Sequence, residues 1–324
     1  MEEVVQRYFE NGLAPSTRRT YQAGINKFVK FCALYNINTP LPVSQSLLCS
    51  YISHLAISGL AYGTIKTYLA AIRYLQISQD LPEPRADPMP KLSLVLRGIQ
   101  RSKTGSAGKP RLPISPTILR QLKALWAGQA MDFNIIMLWA ACCTAFFGFF
   151  RMGELTSPTV ANRGPVDCVS VGDVAVDDRN NPSLVRIHLR KSKTDQLGKG
   201  ADIYLGRTDE DLCPVAALLA YMAVRGGEPG PLFRLCDGRW LTKEIFVARV
   251  RCALSVLGYD STSYAGHSFR IGAATAAAER GIEDSIIKIL GRWESSAYQL
   301  YVRSSQQTLK SVSKRLVAPV PHAQ

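Results

Sequence analysis

Residues 267–275, HSFRIGAAT, and 290–303, LGRWESSAYQLYVR, decide how this chain is read. In the first stretch His267 and Arg270 stand three apart, so a helix carries both side chains on one face. In the second, Trp293 and Tyr301 follow an apolar helical pattern over 282–290, and Tyr298 sits one helical turn before Tyr301. Two upstream residues belong beside them. Arg151 follows the apolar run IIMLWAACCTAFFGFF at 135–150 and begins RMGEL, while Lys193 lies in RKSKTDQLGKG between two strand-like stretches. Each is ambiguous alone. Arg151 also reads as a cation at a helix C-terminus, Lys193 as a solvated turn residue, and H-x-x-R as a core His beside a surface Arg.

Together they supply what phosphodiester transesterification requires. A pentacoordinate phosphate gathers charge on its non-bridging oxygens; two guanidinium forks neutralise it, a Lys protonates a leaving oxygen and a Tyr hydroxyl attacks. This chemistry conserves bond energy in a phosphotyrosine and calls for no metal, nucleotide or other cofactor, which suits a sequence with no P-loop and no carboxylate cluster. The eight Cys, at 32, 49, 142, 143, 168, 213, 236 and 252, form no Cys-x-x-Cys pair, and the four His lie far apart, so neither a zinc site nor a disulfide framework fits.

The chain carries 39 Lys and Arg against 25 Asp and Glu, a formal charge of +14, which points to a polyanionic partner. With 324 residues, about 150 per domain predicts two domains, and 47% apolar residues suffice for real cores. The start, MEEVVQRYFE, has acid where a secretory signal needs a basic region, so secretion is not expected. The run 135–150 is shorter than the ~20 residues a membrane span needs, so it is expected to be a buried helix. Residues 102–113, SKTGSAGKPRLP, have linker composition and divide a domain at 1–101 from one at 114–318, with a tail at 319–324. Residues 1–112 hold 14 Lys and Arg against 6 Asp and Glu, the more basic share. Four helices are predicted there: from a Ser16 cap, from Ser44, from Gly63 or Thr64, and over about 91–100, with Pro40, Pro42, Pro82, Pro84, Pro88 and Pro90 in the gaps. After the linker, helices are predicted at 116–127, 132–148, 213–225, 242–257, 268–280, 282–290 and 305–317, and three short strands at 171–177, 183–190 and 201–206. The fold class is mainly α with a small three-stranded β-sheet.

The ordered series Arg151, Lys193, His267-x-x-Arg270, Trp293, Tyr301 resembles the tyrosine recombinase family of phage integrases and chromosome-dimer resolvases. Glu154 stands where that family has a supporting acidic residue, and the basic helical bundle is similar to its core-binding domain. The HSFRIGAAT and LGRWESSAYQLYVR segments are together similar to recombinases of eukaryotic mobile elements of the DIRS, Ngaro and Crypton groups. The resemblance implies a clamp on double-stranded DNA, a homo-tetramer on two DNA sites, and nuclear localisation if the element is eukaryotic. No membrane is involved. It also implies Tyr301 as nucleophile, Arg151, Arg270, His267 and Trp293 on the phosphate, Lys193 as general acid, His267 also as base to Tyr301, and a C-terminal exchange helix. Arg18, Arg19, Lys66, Arg73, Lys91, Arg97, Arg101, Lys103, Lys109 and Arg111 are candidate DNA contacts. Two departures stand out. The Trp293 to Tyr301 spacing of eight is one fewer than the family's, and Tyr298 is a second tyrosine, with motif context favouring Tyr301. A type IB topoisomerase, a DNA-binding protein that has lost catalysis, and a helical interaction module are the competing readings.

Overall fold

The chain divides into two compact units, Met1–Lys109 and Pro110–Gln324. The structure, a computed structural model, describes residues 1–38, 40–82, 89–103, 110–128, 132–158, 168–192, 195, 198–294 and 299. Lys193, Tyr298, Tyr301, Lys109 and the helix predicted at 305–317 lie outside the described residues.

The first unit is helical: α1 (Glu2–Asn11), α2 (Pro15–Leu34), α3 (Gln45–Ile57), α4 (Tyr62–Ile77) and α5 (Pro90–Ser102). Its core joins Phe28, Phe31 and Cys32 of α2 to Leu48, Tyr51, Ile52 and Leu55 of α3, Ile65, Leu69 and Ile72 of α4, and Leu92 and Ile99 of α5. Two predicted starts shift. Pro15 at the first turn and Ala14 as cap, not Ser16, open α2, and Tyr62 opens α4. Ser44 caps α3 as expected, its hydroxyl accepting from the Leu47 N–H at 3.2 Å. The next residue, Gln45, serves α5: its side-chain oxygen accepts from the Lys91 N–H at 3.1 Å, satisfying a donor that a helix start leaves open. The sequence reading gave no element to α1. It buries no residue, and its Phe9 ring stacks on Tyr74 with centroids 5.3 Å apart.

The candidate DNA-contact cations differ in exposure. Arg19, Lys66, Lys91, Arg97 and Arg101 are exposed, while Arg18 and Arg73 are half-buried. Lys103 turns inward, its Nζ donating to the Leu60 carbonyl, and exposed Arg111 donates from Nη1 to the Thr262 carbonyl of the second unit.

The second unit runs α6 (Pro116–Ala127), α7 (Phe133–Phe147), α8 (Met152–Leu155), β1 (Val174–Val176), β2 (Leu184–Leu189), β3 (Ala201–Gly206), α9 (Pro214–Arg225), α10 (Lys243–Val256), α11 (His267–Glu279) and α12 (Asp284–Leu290). The antiparallel sheet has order β1-β2-β3, with Ile187 opposite Val174 on one side and Ile203 on the other. Val185, Ile187 and Leu189 face the core and Arg186 and His188 face out, the alternation of a half-buried strand. In α7 every residue from Ala140 to Phe146 is buried. At about 1.5 Å per residue this helix is far shorter than a bilayer, and among the described residues no helix is long and apolar enough to cross a membrane.

Helix α11 is the other buried element, with Ser268 through Ala277 all enclosed. The segment before α6 lies against it: the Ile114 N–H donates to the Ser268 carbonyl at 2.9 Å, and the Leu112 N–H to the Ser263 carbonyl at 2.9 Å. The linker expected at 102–113 is therefore shorter at both ends, since Ser102 still belongs to α5 and Leu112 is already bonded into the second unit. Gly272 makes this approach possible, because a Cβ there would stand 1.8 Å from the Ile114 carbonyl oxygen.

Gly272→Ala should accordingly destabilise the second unit by about 1–3 kcal/mol despite alanine's better helix propensity. Gly98→Ala, in α5 with open space around it, should stabilise the first unit by up to about 1 kcal/mol. Urea denaturation checks both; equal signs would show that Gly272 is not a contact residue.

Candidate active site

The site is built where α7 stops. Phe149 takes a left-handed conformation, φ 50°, which a bulky residue adopts only when its surroundings impose it. The Gly148 N–H donates to the Thr144 carbonyl at 3.0 Å and the Phe150 N–H to the Ala145 carbonyl at 3.1 Å, so the last turn of α7 closes on itself and the chain reverses. Gly148 is required by its neighbour: a Cβ would lie 2.4 Å from the Phe150 ring. The reversal sends the Phe149 carbonyl towards two guanidinium groups and places Arg151 at the N-cap of α8.

Glu154, three residues on and buried, clamps Arg151 twice. Its Oε2 accepts from the Arg151 main-chain N–H at 2.8 Å and its Oε1 from Nη1 at 2.9 Å. This is the returning half of a capping box, with a cation at the cap position. The same carboxylate accepts at Oε2 from Arg292 Nη2 at 3.0 Å, so one negative charge serves two guanidiniums.

Arg270 lies in the first turns of α11 and is wholly buried. Its Nη1 donates to the Phe149 carbonyl and its Nη2 to the Gly291 carbonyl. Trp293 covers it, the guanidinium carbon standing 4.2 Å from the ring centroid, a cation–π contact, while Phe149 meets the same ring edge-on at 6.3 Å. Trp293 itself is buried. His267, half-buried, is the first residue of α11. Gly266 just before it packs against α8, since a Cβ there would come 2.8 Å from the Met152 Cβ. The starts of α8 and α11 are thereby adjacent.

Arg151, Glu154, Arg270 and Trp293, singled out in the sequence, lie in one connected cluster. One expectation is modified: Arg270 directs two of its five N–H donors at main-chain carbonyls and exposes no surface, whereas Arg151 keeps a fifth of its side chain exposed.

The sequence reading missed Arg292. It sits at the C-terminus of α12 in a left-handed conformation, φ 53°. The Trp293 N–H donates to the Lys288 carbonyl at 3.0 Å and the Arg292 N–H to the Ile289 carbonyl at 2.9 Å, the double bond pattern whose left-handed residue is usually Gly. Gly291 cannot take that place because it is needed one position earlier: a Cβ on it would lie 1.7 Å from the Trp293 ring. Arg292 donates from Nη1 to the Gly148 carbonyl at 3.1 Å and from Nη2 to the Phe149 carbonyl at 3.2 Å, and stands 5.3 Å from the Phe150 ring centroid. Burial, with the Arg151 charge beside it, holds the Arg292 guanidinium below its ordinary range, and Glu154 opposes both. The signal available in sequence was the cation inside LGRW, one residue from the Trp.

Glu154→Ala should cost about 3–5 kcal/mol of stability, because it leaves two enclosed guanidiniums without their shared carboxylate. A loss below about 1 kcal/mol by urea denaturation would show that the carboxylate is not what holds them.

The family described as Phage integrase, N-terminal SAM-like domain matches residues 6–77. An integrase/recombinase xerD homolog from Selenomonas ruminantium is 26% identical over 292 residues, covering 86% of this chain and 78% of its own. Among solved structures, the XerH site-specific recombinase bound to palindromic difH substrate superposes with a TM-score of 0.64 at 14% identity, over 93% of this chain and 80% of its own. The Tn1549 transposon integrase in complex with transposon right end DNA gives a TM-score of 0.58 at 14% identity, over 92% of this chain and 93% of its own. By sequence and by fold, the relatives of this chain are tyrosine recombinases and phage integrases.

Proposed function

We propose that this protein is a site-specific DNA recombinase that cuts and rejoins strands through a covalent 3′-phosphotyrosine, serving integration or excision of a mobile element. The observation that carries this reading is the linkage of Arg151 on the Glu154 carboxylate to Arg270 on the Phe149 carbonyl, made by Arg292 bonded to both, with Trp293 stacked over Arg270. Two guanidiniums on one carboxylate and a third, Arg270, held by main-chain carbonyls leave a net charge of +2, an anion site preceding Tyr301 in the chain. The Tyr301 oxygen attacks the scissile phosphorus and its proton passes to a base, His267 in our assignment; the P–O5′ bond breaks and Lys193 protonates the leaving 5′ oxygen. Attack by a 5′ hydroxyl of the partner strand reverses these steps and frees the tyrosine.

The relatives' DNA complexes and the charge of +14 support double-stranded DNA as partner. We assign a homo-tetramer on two sites, joined by the amphipathic segment at 305–317, whose Leu309, Val312 and Leu316 recur at i, i+3 and i+7 in the sequence. An apolar groove of about 340 Å³ lined by Phe146, Phe147, Ala273, Ala277 and Leu290 is our candidate for its seat on the neighbour. Kinship with the DIRS, Ngaro or Crypton groups, and hence nuclear localisation, rests in our reading on HSFRIGAAT and LGRWESSAYQLYVR alone.

Tyr301→Phe should abolish covalent capture of a nicked suicide duplex and leave DNA affinity nearly unchanged, since it removes one hydroxyl and no charge. Capture lost in Tyr298→Phe but kept in Tyr301→Phe would move the nucleophile. Affinity should fall with salt by about −0.9 in log–log slope per neutralised phosphate, and EDTA should leave capture intact. A flat salt response would exclude DNA as the partner; inhibition by EDTA would demand a metal mechanism.

A further inference from the structure

Arg292 lies outside the ordered series that the recombinase reading uses, yet it bonds both to Glu154 and to the carbonyls at the end of α7. Its Nη2 bridges Glu154 Oε2 and the Phe149 carbonyl, and that same carbonyl accepts from Arg270. Its Nη1 reaches the Gly148 carbonyl, the residue at which α7 ends. The side chain is 13% exposed and its Nε is enclosed with no acceptor among the described residues. A left-handed backbone is unfavourable at a long-chain residue, so the fold maintains a local strain to keep this guanidinium here.

We infer that Arg292 is a positioning residue for strand transfer: by sharing the Glu154 carboxylate it prevents that carboxylate from neutralising Arg151, and by bridging to the Phe149 carbonyl it fixes Arg270 and Arg151 relative to one another. The inference rests on the recombinase reading above. Without Arg292, Glu154 has one cationic partner in place of two, the cluster falls from +2 to +1, and Arg151 is bound more tightly to the carboxylate that opposes its use on a phosphate. Arg292 acts through Glu154 and the carbonyls; it is not assigned contact with the reacting atoms.

The test separates this role from packing because the charge argument predicts a rescue that packing does not. Arg292→Met should slow capture on the suicide duplex by about 100-fold, the scale of a small misplacement in a reacting site. Affinity for the same duplex should change less than about threefold, since one enclosed charge among 39 cationic residues is removed. Adding Glu154→Gln to Arg292→Met removes the carboxylate that Arg151 would otherwise face alone and restores +2. The double variant should capture about 10-fold faster than Arg292→Met, whereas a packing role predicts a double variant as slow or slower. Replacing both members of an enclosed pair also destabilises less than removing one, so the double variant carries the test if Arg292→Met does not fold. In that case it should capture within about 10-fold of wild type. Capture by Arg292→Met within twofold of wild type, or a folded double variant that gains nothing, overturns the inference while leaving the recombinase reading intact. If wild-type protein captures no more DNA than Tyr301→Phe, that reading fails and takes this inference with it.

Discussion

The Glu154 carboxylate is the constraint on which the site depends. Enclosed charges are tolerated only when paired and hydrogen-bonded, and here a single carboxylate accepts from the Arg151 main chain, the Arg151 side chain and Arg292. That arrangement leaves more positive than negative charge, and the excess is met by dipoles instead of acids. The carbonyls of Gly148, Phe149 and Gly291 point at the guanidiniums, and the faces of Trp293 and Phe150 lie against them. Carbonyl dipoles and ring faces stabilise a cation without cancelling its charge, so the cluster stays electropositive inside a packed fold.

The cost of that arrangement appears in the backbone. Freeing the Phe149 carbonyl from α7 requires a left-handed Phe149, and seating Trp293 on Arg270 requires Gly291, which displaces the left-handed end of α12 onto Arg292. Two non-glycine residues are thus held in a region that β-carbons disfavour, and both serve the same carbonyl. Strain of this kind persists only where the surroundings over-determine it. Here the surroundings are two nearly continuous runs of buried residues, Ala140 to Phe146 in α7 and Ser268 to Ala277 in α11. The unusual apolarity of 135–150, which invites comparison with a membrane segment, is the rigidity that the site needs.

Much of this was legible in the sequence because it is periodic or spaced. The buried α7, the alternating β2 and the helix opened by His267 each follow from apolar spacing, and Arg270 three residues after His267 and Glu154 three after Arg151 follow from helix geometry. What was not legible has no period. Helix α1 buries nothing, its Phe9 ring stacking on Tyr74, so its pattern carried no core signal. Arg292 escaped notice because glycine before an aromatic reads as a helix stop, and nothing in LGRW says that the ring claims the glycine and passes the left-handed position to the arginine. The inward turn of Lys103 depends on the Leu60 carbonyl, 43 residues away in the chain, and the end of the linker on the Ile114 contact with α11; both are long-range facts.

The two units divide the electrostatic work differently, and the difference follows from exposure. In the first, the candidate contact cations Arg19, Lys66, Lys91, Arg97 and Arg101 are solvated, so each adds screened, salt-sensitive attraction to a polyanion with no fixed direction. In the second, the three guanidiniums are enclosed or nearly so, and their directions are set by hydrogen bonds to named oxygens. A screened charge selects for proximity to DNA, whereas an enclosed and oriented one selects for a geometry of charge. A phosphate whose equatorial oxygens gain charge during reaction is such a geometry, and the cluster is organised before any phosphate arrives. Under the proposed function, reactivity is assigned to the few residues around the Phe149 carbonyl and affinity to many exposed lysines and arginines, none of which need be individually decisive.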